Sequence, residues 1–93
     1  MIILKIRSFD WDNRNIEHIA RHNVTPDEAE EVFLGALFRK GREGKLLVYG
    51  VTDSGRFLLV VAALKPGGVI RVVTARDMTQ SERRYYLREK GVW

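Results

Sequence analysis

Eight consecutive residues, Phe57-Leu58-Leu59-Val60-Val61-Ala62-Ala63-Leu64, carry no polar side chain. Successive strand residues point to opposite sides, so an apolar run of this length, bounded by turn signals, reads as a strand buried on both faces. Asp53-Ser54-Gly55 and Pro66-Gly67-Gly68 supply the turns. The flanking residues 45–52 and 69–76 are rich in β-branched and aromatic side chains, which makes residues 45–76 an antiparallel meander of three strands with 56–64 in the middle.

A central strand of this kind needs helices to cover it, and the preceding half of the chain provides two. Asp12 is a good N-cap, with Trp11 before it and Ile16 four positions after, the hydrophobic-staple spacing. Ile16, Ile19 and Ala20 then fall on one helical face, and Asn23 is suited to the left-handed conformation that closes a helix, with Val24 as the following apolar contact. Thr25-Pro26-Asp27-Glu28 starts the second helix: Thr caps, Pro takes the first helical position, and Glu28 completes a capping box. Ala29, Val32, Phe33 and Ala36 continue at helical spacing. Residues 36–40 fit a helix end or a short strand equally well, and residues 2–7 alternate as a half-buried first or edge strand. The fold class expected is α+β: a small antiparallel sheet, two N-terminal helices on one of its faces, and a C-terminal helix. The 93 residues make a single domain, 1–93.

The stretch from Ile70 to Tyr86 is where chemistry is expected. Its strand runs into a helix opened by Thr79 and Glu82, another capping box, and unpaired N–H groups at a helix start favour an anion. Arg71 and Arg76 add positive charge there, although five residues apart they point to opposite faces of an unbroken strand. A bulge at the strand end would re-aim Arg76. The last helix, residues 79–90, is highly charged; its apolar Tyr85, Tyr86 and Leu87 are consecutive rather than spaced as a stripe, which predicts weak packing.

A formal charge of +4 suits a polyanionic partner. The absence of cysteine excludes disulfides, thiolate nucleophiles and cysteine-based zinc sites. The apolar Met1-Ile2-Ile3-Leu4 is interrupted by Lys5 and Arg7, far short of a signal-peptide core or the ~20 residues of a membrane span, so a cytoplasmic protein with no membrane contact is expected.

Two ordered groups of residues carry a family resemblance. The first is Phe9, Trp11-Asp12, Asn15, Arg21-His22-Asn23-Val24 and Glu28-Ala29-Glu30-Glu31-Val32-Phe33; the second is Arg71-Val72-Val73-Thr74-Ala75-Arg76 followed by Glu82-Arg83-Arg84-Tyr85, with the Gly55-Arg56 hairpin between them. In this the chain resembles the BrnT family of type II toxin-antitoxin ribonucleases, whose fold is like that of the RelE toxins. Asn23 stands where the family has a turn glycine, and residues 39–44 are irregular against the family pattern. The resemblance implies an endoribonuclease that is active without a metal or other cofactor. It also implies a BrnA-like antitoxin that silences the toxin in a hetero-oligomer and is its only route to DNA.

Metal-free RNA cleavage needs attack by the ribose 2′-hydroxyl, a base for its proton, cations for the added phosphoryl charge, and help for the leaving oxygen. Arginine holds its proton too tightly to be the base, so Arg76 and Arg71 would bind and polarise. Arg76 serves either as such a group or as half of an ion pair with Asp77 or Glu82. The proton-acceptor candidates are His22, His18, Glu43, Glu82, Tyr49 and Tyr85, with a helix-ending, packing His22 as the plainer alternative. The catalytic set expected is Arg76, Arg71, Arg56, His22 and Glu82. The RNA-binding set is Lys45, Arg42, Arg83 and Arg84, the last two also reading as a solvated helix surface. No metal site is expected, since His18 and His22 lack a third ligand. The rival from another class is a non-catalytic module that binds nucleic acid or a regulatory partner.

Overall fold

The computed structural model describes residues 5–91. In chain order the elements are β1 (Ser8–Phe9), α1 (Asn13–Ala20), α2 (Pro26–Glu31), β2 (Leu37–Lys40), β3 (Leu46–Val51), β4 (Phe57–Lys65), β5 (Val69–Asp77) and α3 (Gln80–Glu89), with a short 3-10 turn at Arg42–Gly44 before β3. They form one five-stranded sheet in the order β1-β5-β4-β3-β2, so the apolar strand is central. Of residues 36–40, Leu37–Lys40 resolve as strand rather than helix, and the meander is extended by β2.

Two expectations need correction. The sheet is mixed rather than purely antiparallel, because β1 pairs parallel to β5 through Ser8–Val69 and Phe9–Ile70. The strand expected over residues 2–7 is displaced: residues 1–4 lie outside the described part, residues 5–7 are not strand, and pairing begins at Ser8. Asp12 cuts the strand short by capping α1, accepting from the backbone N–H of Arg14 and Asn15. Beyond Ile70 a side chain takes over as the neighbour of β5. The Asn15 amide, only 4% exposed, donates to Val72 O at 3.1 Å and Asp10 O at 2.9 Å, so the carbonyl of Val72 at the strand edge is not left without a partner.

Alternation along β4 separates two cores. Leu58, Val60 and Ala62 join Leu46, Val48, Ile70, Val72 and Ala75, and against them pack Ile19 of α1, Ala29 of α2, and Val24, Val32 and Phe33 from the segments that follow each helix. Asn23 has φ 59°, the left-handed turn that brings Val24 inward. The capping boxes at Thr25 and Thr79 are both formed. On the other face Leu59 and Tyr49 pack with Tyr86 of α3, bordered by Leu37, Phe57, Tyr85 and Leu87. Thus α3 is better anchored than its charge suggested. Tyr86 is 9% exposed and meets Phe57 edge-on at 5.9 Å, Tyr85 meets Tyr49 at 5.4 Å, and Lys90 Nζ donates to Gly35 O at 2.8 Å. Three consecutive apolar residues suffice because the helix lies across the strands and straddles their side chains.

Where α2 ends, the backbone of Val32 sits directly on β3. A Cβ at Gly50 would lie 2.4 Å from Val32 O and 2.9 Å from Val32 Cγ1. Gly50→Ala is therefore expected to destabilise the fold by about 2–3 kcal/mol through overpacking, measured as a lowered urea midpoint with an unchanged slope.

Candidate functional site

A bulge in β5 decides where the arginines point. Val61 pairs with Thr74 and Ala62 with Val72, which leaves Val73 as an extra residue, and Arg71 and Arg76 then stand opposite Ala63 and Leu59. Ala63 and Leu59 are an even number of residues apart on β4, so both arginines share one face of the sheet. The expectation of opposite faces for an unbroken strand gives way to the bulge. The shared face is also the one that α3 crosses.

Cross-strand pairing arranges that face in rows. One row is Leu37, Tyr49, Leu59 and Arg76; the next is Arg39, Leu47, Val61 and Thr74. The first lies against α3. The second is open, and there Val73 is 40% exposed. A cleft of about 630 Å³ sits over this half, floored by Leu47, Val61 and Val73 and rimmed by Lys40, Arg42, Glu43 and Lys45. Arg39, in the same row, lies toward α3 with its guanidinium 5.1 Å from the centre of the Tyr85 ring.

Arg76 is held by a two-pronged ion pair. Its Nη1 and Nη2 donate to Glu82 Oε1 at 2.8 Å and Oε2 at 3.0 Å, and Nη1 also reaches Asp77 O at 3.0 Å. Glu82 is itself fixed, because its Oε1 accepts from Thr79 N–H at 2.8 Å in the capping box of α3. These contacts occupy the end of the guanidinium. Among the described residues nothing meets Nε–H or the second Nη2 hydrogen, which together form the side-on fork of an arginine. The hydrogen bond from Arg76, more than the one from Thr79, holds the Glu82 carboxyl below its ordinary 4.5 against the opposing effect of burial. The same pair raises the Arg76 pKa, with a smaller contribution from Tyr49.

The other expected residues are distributed around this centre. Arg71 pairs with Asp12 at 3.0 Å and with Asp10 at 3.4 Å, and Asp10 also takes Lys65 at 2.9 Å. Arg56 is on the opposite side of the sheet, by α1 and α2. It donates to Asp77 Oδ1 at 3.0 Å, to both Glu28 oxygens at 3.2 Å, and to the carbonyls of Asn23 and His22. It clamps the two helix ends to the end of β5. His22 contributes its carbonyl to that clamp, and its exposed ring stands 6.1 Å from that of His18. Arg56 and His22 are therefore together, and apart from Arg76. Arg83 lies over the Phe57 ring at 4.0 Å, while Arg84 is exposed on α3. Lys45 and Arg42 line the cleft. Arg39 and Lys40 were missed from the sequence, because their placement requires β2 to be a strand. Among the described residues no cluster of three or more His, Asp or Glu is spaced to hold a metal ion, and no helix is long and apolar enough to cross a membrane.

A protein-family model described as a ribonuclease toxin, BrnT, of type II toxin-antitoxin systems matches residues 11–82. No curated protein matches the chain.

Two outcomes follow from the ion pairs. Asp10, Asp12, Glu28 and Glu82 all have folded pKa values below their ordinary 3.8 or 4.5. Their contribution to stability is full above those ordinary values and is lost as pH falls through the depressed ones. Thermal denaturation followed down the acid range should show a falling Tm, with a shallower fall in Glu82→Gln. Arg56→Ala should cost roughly 1–2 kcal/mol, allowing for solvent screening of its half-exposed pairs; an unchanged urea midpoint would remove it from its clamping role.

Proposed function

The chain belongs to the BrnT family of ribonuclease toxins of type II toxin-antitoxin systems, and on that premise we propose that it is a metal-independent endoribonuclease that cleaves cellular RNA and so inhibits translation and growth. Its membership implies an RNA target and an antitoxin partner. The finer reading is that the antitoxin is BrnA-like and forms a hetero-oligomer with the toxin. That antitoxin also carries the pair's contact with DNA, in the cytoplasm. The same reading takes the mixed sheet and its helices as RelE-like.

The observation that carries the chemistry is the orientation of Arg76. A guanidinium held at one end by Glu82 keeps its side-on fork free for two oxygens of a phosphate, and this geometry exists before any ligand arrives. In the reaction the 2′-hydroxyl oxygen attacks the adjacent phosphorus, and Arg76 stabilises the charge that builds on the non-bridging oxygens. Glu82, bound to Arg76 and Thr79 and lowered in pKa, is a poor proton carrier and acts as a positioning residue. Lys45 and Arg42, on the rim of the cleft, take neighbouring phosphates, while Leu47 and Val61 offer an apolar floor to a base. Arg71 supports the same face from its far end.

Purified protein incubated with RNA in EDTA should yield fragments ending in a 2′,3′-cyclic phosphate, and Arg76→Ala should lose about 100-fold or more of the rate, the usual effect of removing one charge-stabilising donor. Full cleavage by Arg76→Ala would remove the residue from this role, and binding without cleavage would favour a non-catalytic RNA-binding module. If four cations contact phosphates, affinity should fall with salt with a log-log slope of about −2.8, at roughly 0.7 per phosphate on a single strand. A slope near zero would contradict the electrostatic account.

A further inference from the structure

We propose that Tyr49 is a catalytic residue of this site, donating its hydroxyl proton to the 5′-oxygen that leaves when the RNA backbone is cut; the assignment rests on the ribonuclease reading above. Tyr49 is 6% exposed, so its ring is fixed in the core between β4 and α3. Leu59 lies beside it across the strands, and the Tyr85 ring meets it edge-on at 5.4 Å. Its hydroxyl has no hydrogen-bond partner among the described residues. Every fully buried side-chain polar atom there has one, so the Tyr49 oxygen keeps some access to solvent. Buried tyrosines ordinarily satisfy their O–H within the protein. Among the described residues this one has none, which leaves its hydroxyl for a ligand.

The cross-strand row says what that partner touches. Tyr49 pairs with Leu59, which pairs with Arg76, so the phenol and the guanidinium flank one side chain on the same face. After Glu82, Tyr49 makes a smaller contribution to raising the Arg76 pKa. In the proposed complex a phosphate seated on the Arg76 fork presents its bridging oxygens toward the phenol across Leu59. Of the other candidates, His22 fails on position and Glu82 on proton content, and Tyr85 is outside the strand row that holds Arg76. His22 is on the opposite side with Arg56, and Glu82 is ionised at neutral pH and has no proton to give.

The step balances as follows. The 2′-oxygen forms its bond to phosphorus and its proton passes to water; the bond from phosphorus to the 5′-oxygen breaks, and that oxygen takes the Tyr49 proton to become a hydroxyl. The phenolate left behind sits beside Arg76 and regains a proton from solvent. A phenol is far more acidic than the alcohol it protonates, so the transfer to the leaving oxygen runs downhill.

The test compares wild type and Tyr49→Phe on an RNA oligonucleotide and on the same oligonucleotide with sulfur replacing the 5′-bridging oxygen at the bond that is cut. A thiolate leaves without a proton. Tyr49→Phe should lower kcat on the oxygen substrate by about 100-fold or more, with KM within about twofold, and should approach the wild-type rate on the sulfur substrate. The Tm should stay within about 3 °C, since the hydroxyl has no internal partner to lose. Equal slowing on both substrates, an unchanged rate on oxygen, or a large loss of Tm would each overturn the assignment. If wild type cleaves neither substrate, the ribonuclease reading itself falls and takes this one with it. Full cleavage of both by Tyr49→Phe overturns only the role of Tyr49.

Discussion

Everything in this fold answers to one requirement, that β4 be kept from water on both sides. Leu58, Val60 and Ala62 are fully buried on one face and Leu59 is 5% exposed on the other. The first face is covered over Leu58, Val60 and Ala62 by α1, α2 and the turns that follow them, and opens only at Leu64, which is 49% exposed. The second has only α3, a ten-residue helix of about 15 Å, which spans roughly three strands when laid across them. It therefore covers one end of that face and leaves the Leu47–Val61–Thr74 row open. The cleft lies over an uncovered part of the sheet, and its floor is apolar because Leu47 of β3, Val61 of β4 and Val73 of β5 meet there.

The capping of α3 and the orientation of Arg76 are one structure. Glu82 accepts from the N–H of Thr79, which starts the helix, and from Arg76, which ends the strand. The helix start, the strand end and the guanidinium are thereby mutually fixed. An unrestrained arginine loses side-chain entropy on gripping a phosphate, whereas this one has been ordered by folding. Arg56 plays the comparable part on the other side of the sheet. There all three guanidinium nitrogens are engaged by protein acceptors, so it organises the fold and has little left for a ligand.

The elements most legible in the sequence were those with local causes. The caps at Asp12, Thr25 and Thr79, the left-handed Asn23, both hairpin turns and the central place of β4 each follow from a few adjacent residues. What escaped reading depends on distant pairing. The parallel β1–β5 contact involves two residues on each strand and leaves no periodic trace. The four-residue β2 is too short for its pattern to separate strand from helix, so Arg39 and Lys40 could not be assigned to a face. The bulge at Val73 carries no glycine or proline to announce it, and without it the two arginines cannot be put on one side. Arg76 and Glu82 were both legible as charged residues at a strand-helix junction. That one would hold the other end-on, with a fork to spare, is a matter of side-chain geometry.

Charge counting is why the proposed site is centred on Arg76 rather than Arg71 although both lie on one face. Arg71 is approached by two carboxylates, Asp10 and Asp12, and only the neighbouring Lys65 restores neutrality. An incoming phosphate there meets two fixed negative charges at short range. Arg76 has a single carboxylate partner, and the adjoining row brings Arg39, with Lys45 and Arg42 beyond it on the cleft rim. Arg76 with Glu82 is a neutral pair, and the rim of the adjoining cleft carries Lys40, Arg42 and Lys45 against the single carboxylate of Glu43. The two arginines were equivalent as sequence letters. Their acidic neighbours make one a strut for the start of α1 and leave the other able to accept an anion.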